Sequence, residues 1–354
     1  GELTPFVSGI SEIALASDGV FVATARGYGS GLLRFDADGQ PMNWPGSSTN
    51  RMSTPKMHGL GHGYGQRGLC VAPNGDIYYY NNGQQWSKGV QNCIDVYSSA
   101  GKLKEKAVID GMGIGDCGLG VDAAGNIYVG ANVKPLDRIL PDDLKEDVPP
   151  TPWLCWAQGQ WGYRPAPWYY SMRNEYLYHV GAVFKFGPDG GAFYGHGALR
   201  DVPDPKLSPL TRAENAPENA PEYRTGYLMQ RVKVAGAKWR YPGMSLMPSS
   251  ERQWGDPSCV CLSSRLDVDP YGRVYLPNAF QFRVEIVDSA GNRIGRVGKY
   301  GNADDEGPGI HFAWPCDVDY GPDERLYVVD SANARLTVVD FDYADQKVCA
   351  VKAK

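Results

Sequence analysis

CVAPNGDIYYY (70–80) joins a short apolar run to a polar turn closed by Gly75, and then to an aromatic-rich run. Period-2 alternation on both sides of an Asn-Gly pair is the pattern of two antiparallel strands joined by a tight turn. The pattern returns four times, as ALASDGVFVAT (14–24), GVDAAGNIYVG (120–130), DVDPYGRVYLP (267–277) and DVDYGPDERLYVV (317–329), the last two residues longer than the others. A second motif recurs with it, apolar alternation running into a turn: GLLRFDADG (31–39), CIDVYSSAG (93–101), AVFKFGPDG (182–190), RVEIVDSAG (283–291) and RLTVVDFDY (335–343). Each unit therefore reads strand, tight turn, strand, loop, strand.

Units of this kind at a spacing near fifty residues are propeller blades, since one such sheet cannot bury its faces alone and stacking neighbours does. From Gly19 through Gly75, Gly125 and Gly272 to Glu324 the steps are 56, 50, 147 and 52 residues. One step is three periods long, so 131–266 holds about 95 residues beyond one repeat. The expectation is an all-β chain forming a single β-propeller domain over 1–354. Six blades come first, with five or seven as the other arrangements. Residues 135–178 read as a long aromatic-rich insertion, and 196–258 as irregular or as a degenerate blade.

Two segments carry a family resemblance. VDSANARLTVVD (329–340), preceded by GPGIHFAWPCDVD (307–319), resembles the NHL repeat, with Asp330, Asn333 and Arg335 on its Asp-x-x-Asn-x-Arg motif. The preceding unit keeps Asn278, Gln281 and Arg283 at the same offsets. The resemblance implies an NHL-like propeller. NHL proteins include binding scaffolds and some enzymes, so it speaks to fold more than to function. The layout is also similar to that of amidating-lyase propellers, with Arg67, Cys117 and Cys316 near the places where those carry zinc-binding histidines.

At 42% hydrophobic and 12% aromatic residues, 354 residues bury a sizeable core, and a propeller of this length is one domain. The net charge of −5 and the lack of a Lys/Arg stripe exclude nucleic acid as a partner. No run of 18 apolar residues occurs, so no transmembrane segment is expected. The start GELTPFVSGI lacks the charged and apolar regions of a signal peptide and begins without Met, which points to a mature extracellular or periplasmic chain. The even number of cysteines, 8, agrees with disulfides in such a compartment. Cys70 and Cys93 fall on the first and third strands of one unit, two strand spacings or about 9.6 Å apart, too far for a bridge. Cys70 and Cys117 approach across neighbouring units instead.

Propellers place their function on the loops around the mouth of the central channel. The linkers leading into each innermost strand hold His58, His62, His196 and His311, and a His-x-x-x-His pair with a third imidazole is a zinc ligand set. Arg67 and Cys117 ring the same mouth and are candidate ligand contacts, a thiol beside a guanidinium being one route to a thiolate. Asp122, Asp269 and Asp319 stand where Asp accepts hydrogen bonds from the following turn. Asp267 and Asp317, two residues earlier, have no such duty and line the channel with carboxylates of the kind that take Ca²⁺.

The segment 151–178 crowds Trp153, Trp156, Trp161 and Trp168 with Tyr163, Tyr169, Tyr170, Tyr176 and Tyr178. No blade requires this. Trp161 and Trp168, flanked by Gly, Pro and polar residues, with Tyr169 and Tyr170, are the candidate binding surface, because exposed aromatic faces stack on sugars or anchor protein interfaces. GxSxG, HExxH, a P-loop and strand-linked GxGxxG are all absent. Two classes of function follow. The first is a secreted or periplasmic non-catalytic propeller that offers its loop face and aromatic insertion to a glycan, a protein partner or a neighbouring subunit. The second is a metal-assisted enzyme, a lyase or lactone hydrolase using Ca²⁺ or Zn²⁺, with its site at the channel mouth.

Overall fold

A computed structural model describes residues 10–16, 21–25, 31–53, 68–81, 92–113, 116–131, 133–134, 180–195, 213–225, 231–245, 264–302, 304–305 and 307–341. The first sheet is an antiparallel meander of β1 (Ile10–Leu15), β2 (Phe21–Ala25), β3 (Gly31–Phe35) and β4 (Arg51–Ser53). The second repeats it with β5 (Leu69–Val71), β6 (Ile77–Asn81), β7 (Asn92–Tyr97) and β8 (Leu103–Met112). β9 (Cys117–Val121) and β10 (Ile127–Ala131) open the third, and the chain then leaves as β11 (Val133–Lys134) and returns as β12 (Val180–Phe186). It leaves again through β13 (Gly191–Tyr194), β14 (Glu222–Thr225) and β15 (Arg231–Ala235) before β16 (Ala237–Ser245) completes the order β9-β10-β12-β16.

The fourth sheet is β17 (Asp267–Val268), β18 (Val274–Asn278), β19 (Arg283–Val287) and β20 (Arg293–Val297). A short parallel pair, β21 (Lys299–Tyr300) and β22 (His311–Phe312), leads to the fifth, β23 (Pro315–Tyr320), β24 (Arg325–Asp330) and β25 (Arg335–Asp340). The protein is a β-propeller, and five blades, I to V, are built from the described residues. They contain no α-helix, only 3-10 turns at Ala213–Asn215 and Ala279–Gln281, and no helix long and apolar enough to cross a membrane.

All five copies of the first motif form the hairpin between a blade's first and second strands, and all five copies of the second form its third strand. The turns follow from Asp and Gly. The Asp122 carboxylate accepts the N–H groups of Ala124 and Asn126, and Asp269 those of Tyr271 and Arg273, while Gly125 and Gly272 take φ of 75° and 77°. Asp319 was expected to share this duty and does not. The two extra residues put Gly321 at the turn position, where its N–H reaches the Arg325 carbonyl, and move Asp319 into register with Asp267.

The core lies in the seams between blades. Tyr78, Tyr80, Ile94 and Val96 of blade II meet Leu119, Val121, Ile127, Val129, Phe184 and Phe186 of blade III. Tyr128 and Val183 of blade III meet Leu266, Val274 and Leu276 of blade IV, and Tyr275, Val284 and Ile286 of blade IV meet Val318, Leu326 and Val328 of blade V. Fully burying one such side chain stabilises by roughly 1.5–3 kcal/mol. β11, β14, β15 and β13 form a small side sheet that joins the outer edge of blade II through parallel pairing of β13 with β8. Only glycine permits that approach: a Cβ on Gly190 would stand 1.7 Å from the Val108 carbonyl oxygen.

The Asp-x-x-Asn-x-Arg residues are structural here. Asp330 accepts the N–H groups of Ala313 and Trp314, Asn333 donates to Asp330 and to the Gly301 carbonyl, and Arg335 donates to the His311 carbonyl. Together they pin the turn between β24 and β25 to the chain entering the same blade. In blade IV Asn278 caps the 3-10 turn by accepting the Gln281 N–H, and Arg283 pairs with Glu285 in a buried ion pair at 2.5 Å.

Candidate functional site

The innermost strands are β1, β5, β9, β17 and β23, and each of the first four packs against the next as the ring is followed. Pairing with the second strands sets their registers on a common scale. On that scale Glu12, Gly68, Arg265 and Asp317 share one level, where blade III pairs Cys117 beside the bulged Gly118, and Ala14, Cys70, Gly120, Asp267 and Asp319 share the next. Blades II and III keep these levels small: a Cβ on Gly68 would meet Leu119 at 2.6 Å and one on Gly120 would meet Val268 at 2.5 Å. Blades I, IV and V instead place charges there.

Arg265 Nε donates to Glu12 Oε1 at 2.9 Å. Blades IV and I are not neighbours, so this guanidinium reaches across the axis of the ring. Glu12 also receives the Gly68 N–H, while its Oε2 has no hydrogen-bond partner among the described residues. Burial raises the Glu12 carboxyl to about 7, outweighing the guanidinium beside it, and Asp317 adds to the rise. Arg265 remains charged, because the Glu12 and Asp317 carboxylates outweigh the cost of its own burial.

Asp267 Oδ2 accepts the Tyr320 N–H at 2.7 Å, tying β17 to β23. Its carboxyl rises to about 7 through burial first and the charge of Asp319 second. Asp317 rises to about 6 through burial, against the pull of Arg265, and burial raises Asp319 as well. These side chains are ringed by protein, yet solvent reaches Asp267, Asp317 and Asp319. The axis thus holds four carboxyls and one guanidinium drawn from three blades, with several of the carboxyls poised to hold or release a proton near neutral pH.

Sequence reasoning found Asp267 and Asp317 and missed Glu12 and Arg265. The available signal was a charge at an inner-strand position that blades II and III fill with glycine, as in ISEIAL and SRLDVD. Cys117, expected to face a ligand, is fully buried among Tyr128, Val183, Met244 and Leu266. The thiolate reading does not extend to its neighbours, since burial raises the Cys70 thiol to about 12 and the Cys316 thiol to about 11. Cys70, Cys93, Cys117 and Cys316 carry no disulfide, so the expected approach of Cys70 and Cys117 forms no bridge. Cys155, Cys259, Cys261 and Cys349 lie outside the described residues.

His311 is buried on β22, where its carbonyl takes Arg335. His58, His62, His196, Arg67, Trp161, Trp168, Tyr169 and Tyr170 lie outside the described residues. Among the described residues no three His, Cys, Asp or Glu side chains come together as a metal site.

No family model and no curated protein sequence matches the chain. Solved structures similar to it include a gluconolactonase from Xanthomonas campestris, 12% identical over 93% of this chain and 71% of that one, with a TM-score of 0.40. A streptogramin B lyase matches at 12% identity over 95% and 84% of the two chains with a TM-score of 0.35. A calcium-binding regucalcin from Agrobacterium tumefaciens matches at 12% over 90% and 67%, also at 0.35. At these values the likenesses carry no conclusion about the chemistry of this chain.

Proposed function

We propose that this propeller is an enzyme whose site is its own axis, acting by proton transfer on a small ring ester or an elimination substrate, as a lactone hydrolase or lyase. One observation carries the reading: Asp267 and Asp319 form a like-charge pair from adjacent blades, with Asp267 raised to about 7, so the pair holds a proton near neutrality. A display scaffold has no use for carboxyls crowded together at that cost, and general acid–base catalysis needs groups with such proton affinities.

For a lactone, Asp319 takes a proton from the attacking water, the water oxygen bonds to the carbonyl carbon, and the ring C–O bond breaks. The proton held at Asp267 goes to the leaving alkoxide. Arg265, hydrogen-bonded to Glu12, fixes the cluster's geometry. The metal-assisted version needs ligands beyond the described residues, while proton transfer needs only these.

The test is proton release from a panel of γ- and δ-lactones by wild type, Asp319→Asn and Asp267→Asn, with and without a chelator. The expected result is turnover that falls by a factor on the order of 100 or more in each variant with the fold intact. Turnover equal to wild type in Asp319→Asn, or none on any lactone or elimination substrate, sinks the proposal.

A further inference from the structure

The guanidinium at the axis is already engaged. Arg265 gives its Nε proton to Glu12 Oε1 at 2.9 Å and its backbone N–H to the Cys316 carbonyl. Glu12 keeps its second oxygen, Oε2, without a hydrogen-bond partner among the described residues, although its side chain is only 4% exposed. A carboxylate oxygen buried that deeply is costly until a donor reaches it. Asp267, Asp317 and Asp319 form no ion pair among the described residues, and Asp317 feels Arg265 only at longer range.

These acids stand on two levels. Glu12 and Asp317 share the first with Arg265, and Asp267 and Asp319 share the second, two residues or about 6.8 Å further along the strands. They line a short stretch of the axis instead of converging on a point. A metal ion such as Ca²⁺ needs several oxygens at about 2.3–2.6 Å from one centre, and no three such side chains come together among the described residues. A cation whose charge is carried on several N–H donors suits the stretch better, because each N–H reaches a different oxygen at about 2.8 Å. An anion is repelled by the excess of carboxyls over the single Arg265.

We infer that the substrate of the axial site carries a protonated amine, held by Glu12 Oε2 and Asp317, with its scissile bond one level away at Asp267 and Asp319. The inference rests on the reaction proposed above and names its substrate class, a small amino-lactone or amino-bearing elimination substrate. Glu12 is then a binding residue and not only the partner of Arg265. Proton affinity fits this division. Glu12 faces Arg265 and Asp317, Asp267 faces Asp319, Asp317 and Cys70, and Asp317 faces Arg265, Asp319 and Cys316. Burial first and neighbouring acids second hold protons on these carboxyls near neutral pH, and an ammonium placed among them drives the protons off. Affinity for the amine therefore rises with pH between about 5 and 8.

Titration calorimetry of the full chain at pH 6.5 with cyclopentylamine and cyclopentanol tests the binding, alongside turnover of α-amino-γ-butyrolactone and γ-butyrolactone. Cyclopentylamine has the charge and no ester. It is expected to bind at least about tenfold tighter than cyclopentanol, the worth of one charge-assisted hydrogen bond, and to release protons, read as a heat that varies with the ionisation heat of the buffer. Glu12→Gln and Asp317→Asn should each remove most of the advantage, while Asp38→Asn, at an exposed position far from the inner strands, leaves it intact. If Glu12→Gln unfolds the chain, Asp317→Asn decides alone, since it leaves the Glu12–Arg265 bond in place. Equal affinity for the amine and the alcohol overturns the inference, as does amine binding without proton release or an advantage that survives the axial substitutions. If cyclopentylamine binds as expected and neither lactone is turned over, the cation site stands and the catalytic reading falls. If γ-butyrolactone is turned over as well as its amino derivative and the amine has no binding advantage, the reverse holds.

Discussion

Glu12, Asp267 and Asp317 tie stability to pH in a definite direction. Each is an acid whose proton affinity is higher folded than unfolded, at about 7, 7 and 6 against ordinary values near 4. The folded chain therefore holds more protons between about pH 4 and 7. Their contribution is complete below pH 4 and is lost as pH rises through 6 to 7. Chemical denaturation should show stability falling from pH 5 to pH 8, with a share on the order of 3 kcal/mol from Glu12. Glu12→Gln should flatten that slope; an unchanged slope would mean that its carboxyl is not held neutral.

Arg265→Met carries the argument to the other partner. Removing one member of a buried ion pair costs about 3–5 kcal/mol when the remaining charge cannot escape, and a quarter-exposed Arg265 side chain places this pair at the low end. Glu12 has an escape, which is to take up a proton. The loss should thus be several kcal/mol at pH 8 and small at pH 5, read from urea midpoints at the two values. A loss independent of pH would assign Arg265 to packing.

At the scale of elements, the repeat pattern was legible where pairing is local and silent where it is not. All five hairpins and all five third strands stand in the sequence because a strand, a polar turn and a second strand are contiguous. Nothing local says that AVFKFGPDG pairs with β10 across more than forty intervening residues, nor that AKWRYPGMS is the outermost strand beside it. Pro242 and Gly243 make that segment read as irregular, yet an outer strand tolerates both because one of its edges pairs with nothing in its sheet. The axial site was half legible for a related reason: Asp267 and Asp317 stand out against the repeat, while Arg265 and Glu12 gain meaning only when non-neighbouring blades are brought together.

The junction of the side sheet with blade II gives an element-scale prediction. Gly190 has φ of 71° and no room for a Cβ beside Val108, whereas Gly125, at 75°, has only Pro188 at 3.5 Å. Gly125→Ala should cost about 1 kcal/mol from backbone conformation alone. Gly190→Ala must also push β13 from β8, and its cost should be at least about 3 kcal/mol. Equal urea midpoints for the two variants would show that the parallel β8–β13 pairing is absent in solution.

For the whole molecule, the open question of closure becomes a question of protection. A blade sandwiched on both faces opens only when a neighbour leaves, so its ladder hydrogen bonds exchange near the rate of global unfolding. Blades II, III and IV are in that position. Blade V packs its Val318, Leu326, Val328 and Val339 against blade IV and leaves Val329, Leu336 and Val338 to solvent, so it is held from one side. Its β25 also ends the sheet among the described residues. Hydrogen exchange should show the amides of β24 and β25 exchanging well before those of β18 and β19, although the β24–β25 ladder is the longer by one pair, six against five. Equal protection would mean that the apolar face is covered in solution by residues outside those described, among them KVCAVKAK (347–354), an alternating run that by its place after the last unit is expected to add the outermost strand of the last blade. Deletion of 347–354 separates the two cases: with the seam open it leaves the protection of β24 at its low value, and with the seam covered by that segment it lowers it.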